Sequence, residues 1–114
     1  MLVYLLETLR NATGLPVRPF ATNKVEPCIV YKYSTDSDNG SRTTDSLELR
    51  IIAFDMEQVL EIDKKVRKAL LKKGDRTGKI TKIEMNGGGI LEELNTQTIH
   101  KFDNYYITYK SEVI

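Results

Sequence analysis

The sequence is poor in the residues on which metal binding and covalent cross-linking depend. Its 114 residues include one cysteine, Cys28, and one histidine, His100. A single cysteine cannot form an internal disulfide and cannot by itself hold zinc. One histidine leaves little material for metal or proton-transfer chemistry. These scarcities argue against a secreted cystine scaffold and a metalloenzyme, and we predict no cofactor and no metal.

Long apolar runs and an excess of one charge are also missing. No stretch approaches the roughly 20 apolar residues of a membrane span, and the run from Met1 to Leu6 is too short for a signal peptide. The 17 basic and 16 acidic residues give a net charge of +1, whereas nucleic-acid binders usually carry a large basic excess. We therefore expect no membrane association and a cytoplasmic address, and the chain is not an obvious binder of DNA or RNA. A length of 114 residues predicts a single domain over residues 1–114.

Two segments have the periodicity of amphipathic helices. Leucines in residues 2–12 follow the i, i+3, i+4, i+7 spacing of one helix face, and Gly14 marks the end of that pattern. Asp55 is placed to cap a second helix over residues 56–72, and Gln58 three positions later completes a capping-box pattern. Gly74 ends this second pattern.

Strand patterns fill most of the remaining chain. Residues 28–33, 47–54, 79–85 and 105–110 are rich in β-branched and aromatic side chains or alternate in polarity. The proline-containing segment 15–27 suits an edge strand or an extended connection. Residues 86–89, Asn-Gly-Gly-Gly, predict a turn or bulge, Asp103 and Asn104 predict a turn beside His100, and residues 90–101 are ambiguous.

The segment from residue 34 to residue 46 contains no apolar side chain. Such a segment cannot join a core, so we predict a long, mobile, exposed loop or the tip of a long hairpin. Asp36, Asp38 and Gly40 loosely resemble a calcium loop, but the closing glutamate and the flanking helices are missing. Calcium is therefore not expected here.

A basic cluster follows, with eight lysines and arginines between Lys64 and Lys79. It lacks interleaved aromatic residues for base stacking, and no known nucleic-acid reader motif is present. The cluster is interpreted as a solvated face, with electrostatic contact to DNA as the open alternative. Phosphate-loop, nucleophile-elbow and Cys-x-x-Cys motifs are absent from the sequence, so no catalytic residue is predicted and the chain is not expected to be an enzyme.

The order of these elements predicts the fold class. Consecutive strands favour an antiparallel sheet, and two helices can cover one of its faces. We therefore predict an α+β domain with about four to five strands, two helices packed on one face, and the long polar loop between the first two main strands.

The whole chain resembles the tail-terminator, or tail-completion, proteins of long-tailed bacteriophages and related prophage particles. A leucine-rich first helix leads into a proline-broken arm and the strand "VEPCIVYKYS". The block "LELRIIAFDMEQVLEIDKKVRKAL" resembles the strand-then-helix unit of that family. The ending "GGGILEELNTQTIHKFDNYYITYK" resembles its closing strands, in which an aromatic-rich strand follows a short histidine-containing stretch.

This resemblance implies a mechanical function in the virion tail, with assembly in the host bacterial cytoplasm. Such proteins form a ring, usually hexameric, on the tail tube, halt its polymerisation and present a surface to the head. The implied partners are other copies of the chain, the tail tube protein, a head–tail connector or head-completion protein, and DNA passing through the lumen without sequence recognition. The residues expected to contact the tube or a neighbouring copy are Asp36, Asp38, Asn39 and Arg42, and those expected to face the lumen or DNA are Lys68, Lys72, Lys73 and Arg76.

Beside a small enzyme or ligand carrier, which would need a deep polar pocket, two other functions stay open from the sequence. One is a head–tail connector or head-completion role, since relatives with these roles share the same weak patterns. The other is a small nucleic-acid-binding α+β module that depends on the basic cluster, and its binding would weaken steeply with salt.

Overall fold

The structure is a computed structural model and describes residues 1–19, 26–71 and 80–110. It confirms the predicted α+β fold: two helices and five strands form the described part of the chain. The elements in chain order are α1 (Leu2–Thr13), β1 (Val17–Pro19), β2 (Cys28–Asp38), β3 (Arg42–Ala53), α2 (Met56–Leu70), β4 (Ile80–Glu93) and β5 (Thr98–Lys110).

The strands form one sheet in the order β1-β2-β3-β5-β4. The short strand β1 pairs in parallel with β2, and every other pair is antiparallel. Strand β3 is the central strand, because β2 and β5 pair with it on its two sides over nearly its whole length. Pro19 lies in the edge strand β1, which agrees with the predicted edge position of the proline-containing arm.

Both helices begin as their sequences predict, and α1 also ends as predicted. Gly14 adopts a left-handed conformation with φ of 69° and donates its N–H to the carbonyl oxygen of Arg10, which closes α1. At the start of α2, the Asp55 carboxylate accepts the N–H of Gln58 at 2.7 Å. The Gln58 side chain in turn accepts the N–H of Phe54 at 3.2 Å. A capping box would use the N–H of the next residue, Asp55. The helix ends at Leu70 and not at residue 72.

The main core lies between the helices and one face of the sheet, which we call the helix-side face. Alternate residues of β3 point into it, and Leu47, Leu49 and Ile51 are fully buried against the leucines of α1 and the apolar stripe of α2. The opposite, or open, face carries a smaller apolar cluster of Cys28, Val30 and Ile52. Cys28 is fully buried there, and burial raises the pKa of its thiol.

The polar segment 34–46 is mostly strand, so the predicted mobile loop is wrong and the alternative, the tip of a long hairpin, is confirmed. Strand β2 extends to Asp38 and β3 begins at Arg42, which leaves a turn at residues 39–41. Serine, threonine and aspartate alternate here across a sheet whose neighbour β5 pairs with β3 from Arg42 onward. The backbone ladder therefore orders a segment that has no apolar side chains, because strand pairing does not require a buried face at every residue.

The turn predicted at Asp103 and Asn104 is wrong, whereas the bulge predicted as one alternative for residues 86–89 is present within β4. The pairing with β5 shifts between Met85 and Gly88, so Asn86 and Gly87 form the bulge, and Gly88 and Gly89 pair with Asp103 and Phe102. Asp103 and Asn104 belong to the middle of β5, and His100 precedes them in the same strand. The ambiguous segment 90–101 ends β4 at Glu93 and begins β5 at Thr98.

Gly88 lies close to the neighbouring strand, and this yields a stability prediction. A Cβ at Gly88 would collide with the backbone oxygen of Phe102 and lie 3.3 Å from a carboxylate oxygen of Asp103, whereas a Cβ at Gly89 would meet nothing within 4 Å. We expect Gly88→Ala to lower the free energy of unfolding by about 1–3 kcal/mol through overpacking. Gly89→Ala, the matched control, should leave stability unchanged or slightly higher. Urea unfolding of both variants measures the difference, and equal stabilities would contradict the close approach.

Candidate functional site

The tip of the β2–β3 hairpin is held by its own side chains. The Asn39 side-chain oxygen accepts hydrogen bonds from the N–H groups of Ser41 and Arg42, at 3.0 and 2.8 Å. The Asp38 carboxylate accepts the N–H of Gly40 at 2.9 Å. Gly40 has a φ of 86°, which favours glycine at that position. The tip is thus a built turn that projects from the sheet.

The four residues predicted to contact a tube or a neighbouring copy therefore have different surroundings. Asp38 and Asn39 stabilise the turn. Arg42 reaches across β5 and donates to the side-chain oxygen of Thr81 in β4 at 3.1 Å. Asp36 lies at the irregularity of β2, between the paired residues on either side of it, and is exposed. The Asp36 carboxylate and the Arg42 guanidinium are accordingly the charged groups of this set that the turn does not use.

A buried carboxylate anchors the hairpin on the helix-side face. Asp45 is 1% exposed, and one of its oxygens accepts hydrogen bonds from the hydroxyl groups of Tyr33 and Tyr109, the latter at 2.8 Å. Burial and the adjacent Asp45 carboxylate raise the pKa of both tyrosines, so both hydroxyl groups remain donors at neutral pH. This contact ties β2, β3 and β5 together at the level where the hairpin leaves the core.

The residues predicted to face a lumen or DNA are only partly within the described chain. Lys68 lies on α2 and is exposed. Lys72, Lys73 and Arg76 lie outside the described residues. Neither helix in residues 1–19, 26–71 and 80–110 is long and apolar enough to cross a membrane. In the same ranges, no three histidine, cysteine, aspartate or glutamate side chains are grouped to hold a metal ion.

An ionic cluster lies between α2 and β5. Lys101 donates to Asp103 at 2.7 Å and lies 3.3 Å from Asp63. Arg67, one helical turn after Asp63, binds the same Asp63 oxygen at 2.8 Å. Lys101, Asp63 and Asp103 are all buried, and Asp103 is fully so. The two carboxylates and two cations balance, which is the arrangement that buried charges need.

The cations of the cluster do not fully offset the cost of burying the Asp103 charge. Burial, together with the neighbouring Asp63 carboxyl group, raises the pKa of Asp103 to about 6, against the opposing influence of Lys101. The second oxygen of Asp103 and the hydroxyl of Tyr105 are buried and find no hydrogen-bond partner among the described residues. Beside them lies an open cleft of about 470 Å³, floored by the glycines at 87–89 and flanked by Met85 and Ile90. Among the described residues, Arg67, Lys101 and Asp103 of the ionic cluster line this cleft.

The sequence reading missed this cluster. Asp103 was expected in a turn, although extending the alternation of Tyr105, Ile107 and Tyr109 backward would have placed Asp103 and Lys101 on the buried face. Asp63 stands at the flank of the apolar stripe of α2, where a charged residue signals a buried partner.

Comparison with known proteins shows a similarity of fold. No protein-family model matches the chain, and no curated protein matches it by sequence. Among solved structures, the chain is similar to a protein chain in the structure "Virion of native gene transfer agent (GTA) particle". That similarity has a TM-score of 0.65 and 9% sequence identity, and it covers 94% of this chain and 92% of the other. The two chains therefore share an overall fold.

The raised pKa of Asp103 predicts an unusual pH dependence of stability. Its ordinary value is 3.8, so between about pH 4 and 6 the folded protein holds a proton that the unfolded chain has released. The protonated Asp103 therefore makes its whole contribution to the free energy of unfolding below about pH 4, and this contribution falls as the pH rises from about 4 to 6. Urea unfolding from pH 4 to 7 should show that the free energy of unfolding of wild type falls, relative to that of Asp103→Asn, as the pH rises. A free energy of unfolding that rises relative to the variant would contradict the raised pKa.

Removal of the lysine tests the cluster itself. Lys101→Met leaves two buried carboxylates facing Arg67 alone, and we expect a loss of about 3–5 kcal/mol in the free energy of unfolding at pH 7. The control Lys64→Met removes an exposed lysine of α2 and should change stability by less than about 0.5 kcal/mol. Losses of similar size in the two variants would contradict a stabilising role for the buried ion pairs.

Proposed function

We propose that this chain is a structural subunit of a phage-like virion that forms a ring on the tail tube, ends its polymerisation and joins the tail to the head. The observation that carries the proposal is the fold shared with a chain of a gene transfer agent virion over nearly the full length of both chains. The finer role rests on the resemblance of the sequence to tail-terminator proteins. The proposed partners are further copies in a hexameric ring, the tube protein, and a connector or head-completion protein, with DNA passing through the lumen.

The surfaces of the molecule suit such a role. A polymer stops growing when one face of its last subunit engages the end and the opposite face accepts no further subunit. The β2–β3 hairpin projects from the core, and its tip is a turn whose backbone N–H groups are bonded by its own side chains. A preformed projection loses little conformational entropy on contact, so it can bind a tube or a neighbouring copy without first being ordered. The exposed Lys68 on α2 is available for sequence-independent contact with DNA.

Electron microscopy of particles made without this gene tests the proposal. We expect headless tails of uncontrolled length, because nothing would stop the tube. Tails of normal length that fail to join heads would move the role to a connector or head-completion protein. Normal infectious particles would contradict a role in assembly.

The hairpin has its own prediction. If the negative charge of Asp36 contacts the tube or a neighbouring copy, Asp36→Lys should reduce incorporation of the protein into particles several-fold. Glu61→Lys is the matched control, since it makes the same charge change at an exposed residue of α2. Both variants should have wild-type stability, because surface changes cost less than about 0.5 kcal/mol. Quantitative blotting of purified particles measures incorporation, and equal incorporation would contradict a contact through Asp36.

A further inference from the structure

The sheet has two lateral edges whose outer sides pair with no strand in the described chain. Strand β4 is the last strand at one side. At the other side β1 pairs only with Ile29, Val30 and Tyr31 of β2, so residues 32–37 of β2 extend past it. Exposed strand edges present N–H and C=O groups that can pair with another strand. Both edges lie in the part of the sheet that leads to the hairpin tip.

The direction of the strands makes these two edges complementary. The order β2, β3, β5, β4 alternates at every step, so β2 and β4 run in opposite directions. When β4 of one copy lies beside β2 of the next, the new pair is antiparallel and continues the alternation. Each copy then contributes its β4 edge to one neighbour and its β2 edge to the other. Such a head-to-tail contact closes into a ring when the rotation between copies permits.

The regular segments at the two edges also match in length and polarity. Shifts in pairing interrupt β4 between Ile80 and Lys82 and between Met85 and Gly88, and they leave residues 82–85 regular. The shift in β2 lies after Thr35, which leaves residues 32–35 regular. Within these segments Tyr33 and Ile83 lie on the helix-side face, where both pack against the core. The open face carries Lys32 and Ser34 on β2 and Lys82 and Glu84 on β4, all exposed.

We propose that a second copy of this chain binds here, by antiparallel pairing of β4 residues 82–84 with β2 residues 32–34 of its neighbour. The register that keeps both faces aligned and sets opposite charges together places Tyr33 beside Ile83 and Lys32 opposite Glu84. Ser34 then lies opposite Lys82. The inference rests on the proposed function, since a tail ring needs a head-to-tail joint of this kind. A joint of so few residues is weak alone and becomes stable when several copies close.

Cysteine cross-linking of the full chain tests the joint and its register. Directly opposed residues of an antiparallel pair have Cβ atoms about 4.5–5.5 Å apart, whereas a two-residue offset gives about 7–8 Å. We expect concentrated Ser34→Cys/Lys82→Cys protein, mildly oxidised, to form a ladder of covalent multimers on non-reducing gels. The control Ser34→Cys/Glu84→Cys is displaced by two residues and should give several-fold less ladder. Cys28 can remain, because its thiol is buried.

Three results would overturn the joint. These are the absence of a ladder, equal ladders from both double variants, and dimers from Lys82→Cys alone in place of a ladder, which would indicate β4 pairing with β4. The test separates this inference from the proposed function. A missing ladder from a protein that still caps tails contradicts the joint only. A ladder from a protein whose gene deletion leaves particles normal contradicts the proposed function and supports the joint.

Discussion

Pairing of the central strand β3 on both of its sides is the constraint on which the rest of the fold depends. Its partners β2 and β5 fix the register of the sheet, and its alternation directs Leu47, Leu49 and Ile51 toward the helices. Because only Phe54 and Asp55 separate β3 from α2, the helix must fold back over the same strand. The early, polar half of β3 has no apolar core to cover it, yet the ladder on both sides keeps it extended and carries the hairpin away from the helices.

The polar groups of the helix-side face reinforce this arrangement in two places. Asp45 joins three strands through the hydroxyl groups of Tyr33 and Tyr109 near the hairpin. Lys101, together with Asp63, joins β5 to α2. Buried charges of this kind stabilise little compared with apolar packing, but an altered register would leave them unpaired at high cost. The fold thus uses polar contacts to fix register where it has few large apolar side chains to do so.

The sequence predicted elements with strong periodicity and misplaced those whose order depends on distant strands. The stripe of α1 and the Asp55 cap are local patterns and matched the structure closely. The strand predicted at residues 47–54 covers only the later, apolar part of β3, which begins at Arg42 and ends at Ala53. The segment 34–46 and the pair Asp103–Asn104 carry local signals for loops, yet neighbouring strands hold both in the sheet. The ionic cluster could not be found from spacing alone, because Asp63 and Lys101 are 38 positions apart in the chain and meet only when α2 packs on β5. Of the predicted contact residues, Asp38 and Asn39 proved to be turn-forming groups, which a polar composition does not distinguish from binding groups.

The role that we propose is that of a ring-forming subunit at the head-proximal end of a virion tail. Cryo-electron microscopy of particles from the genome that encodes it tests this most directly, with the chain identified by mass spectrometry of the same preparation. The account predicts a closed ring of density on the last tube ring, into which the five-stranded sheet and both helices fit. Purified, infectious particles without this chain, or with it only inside the head, would contradict the account.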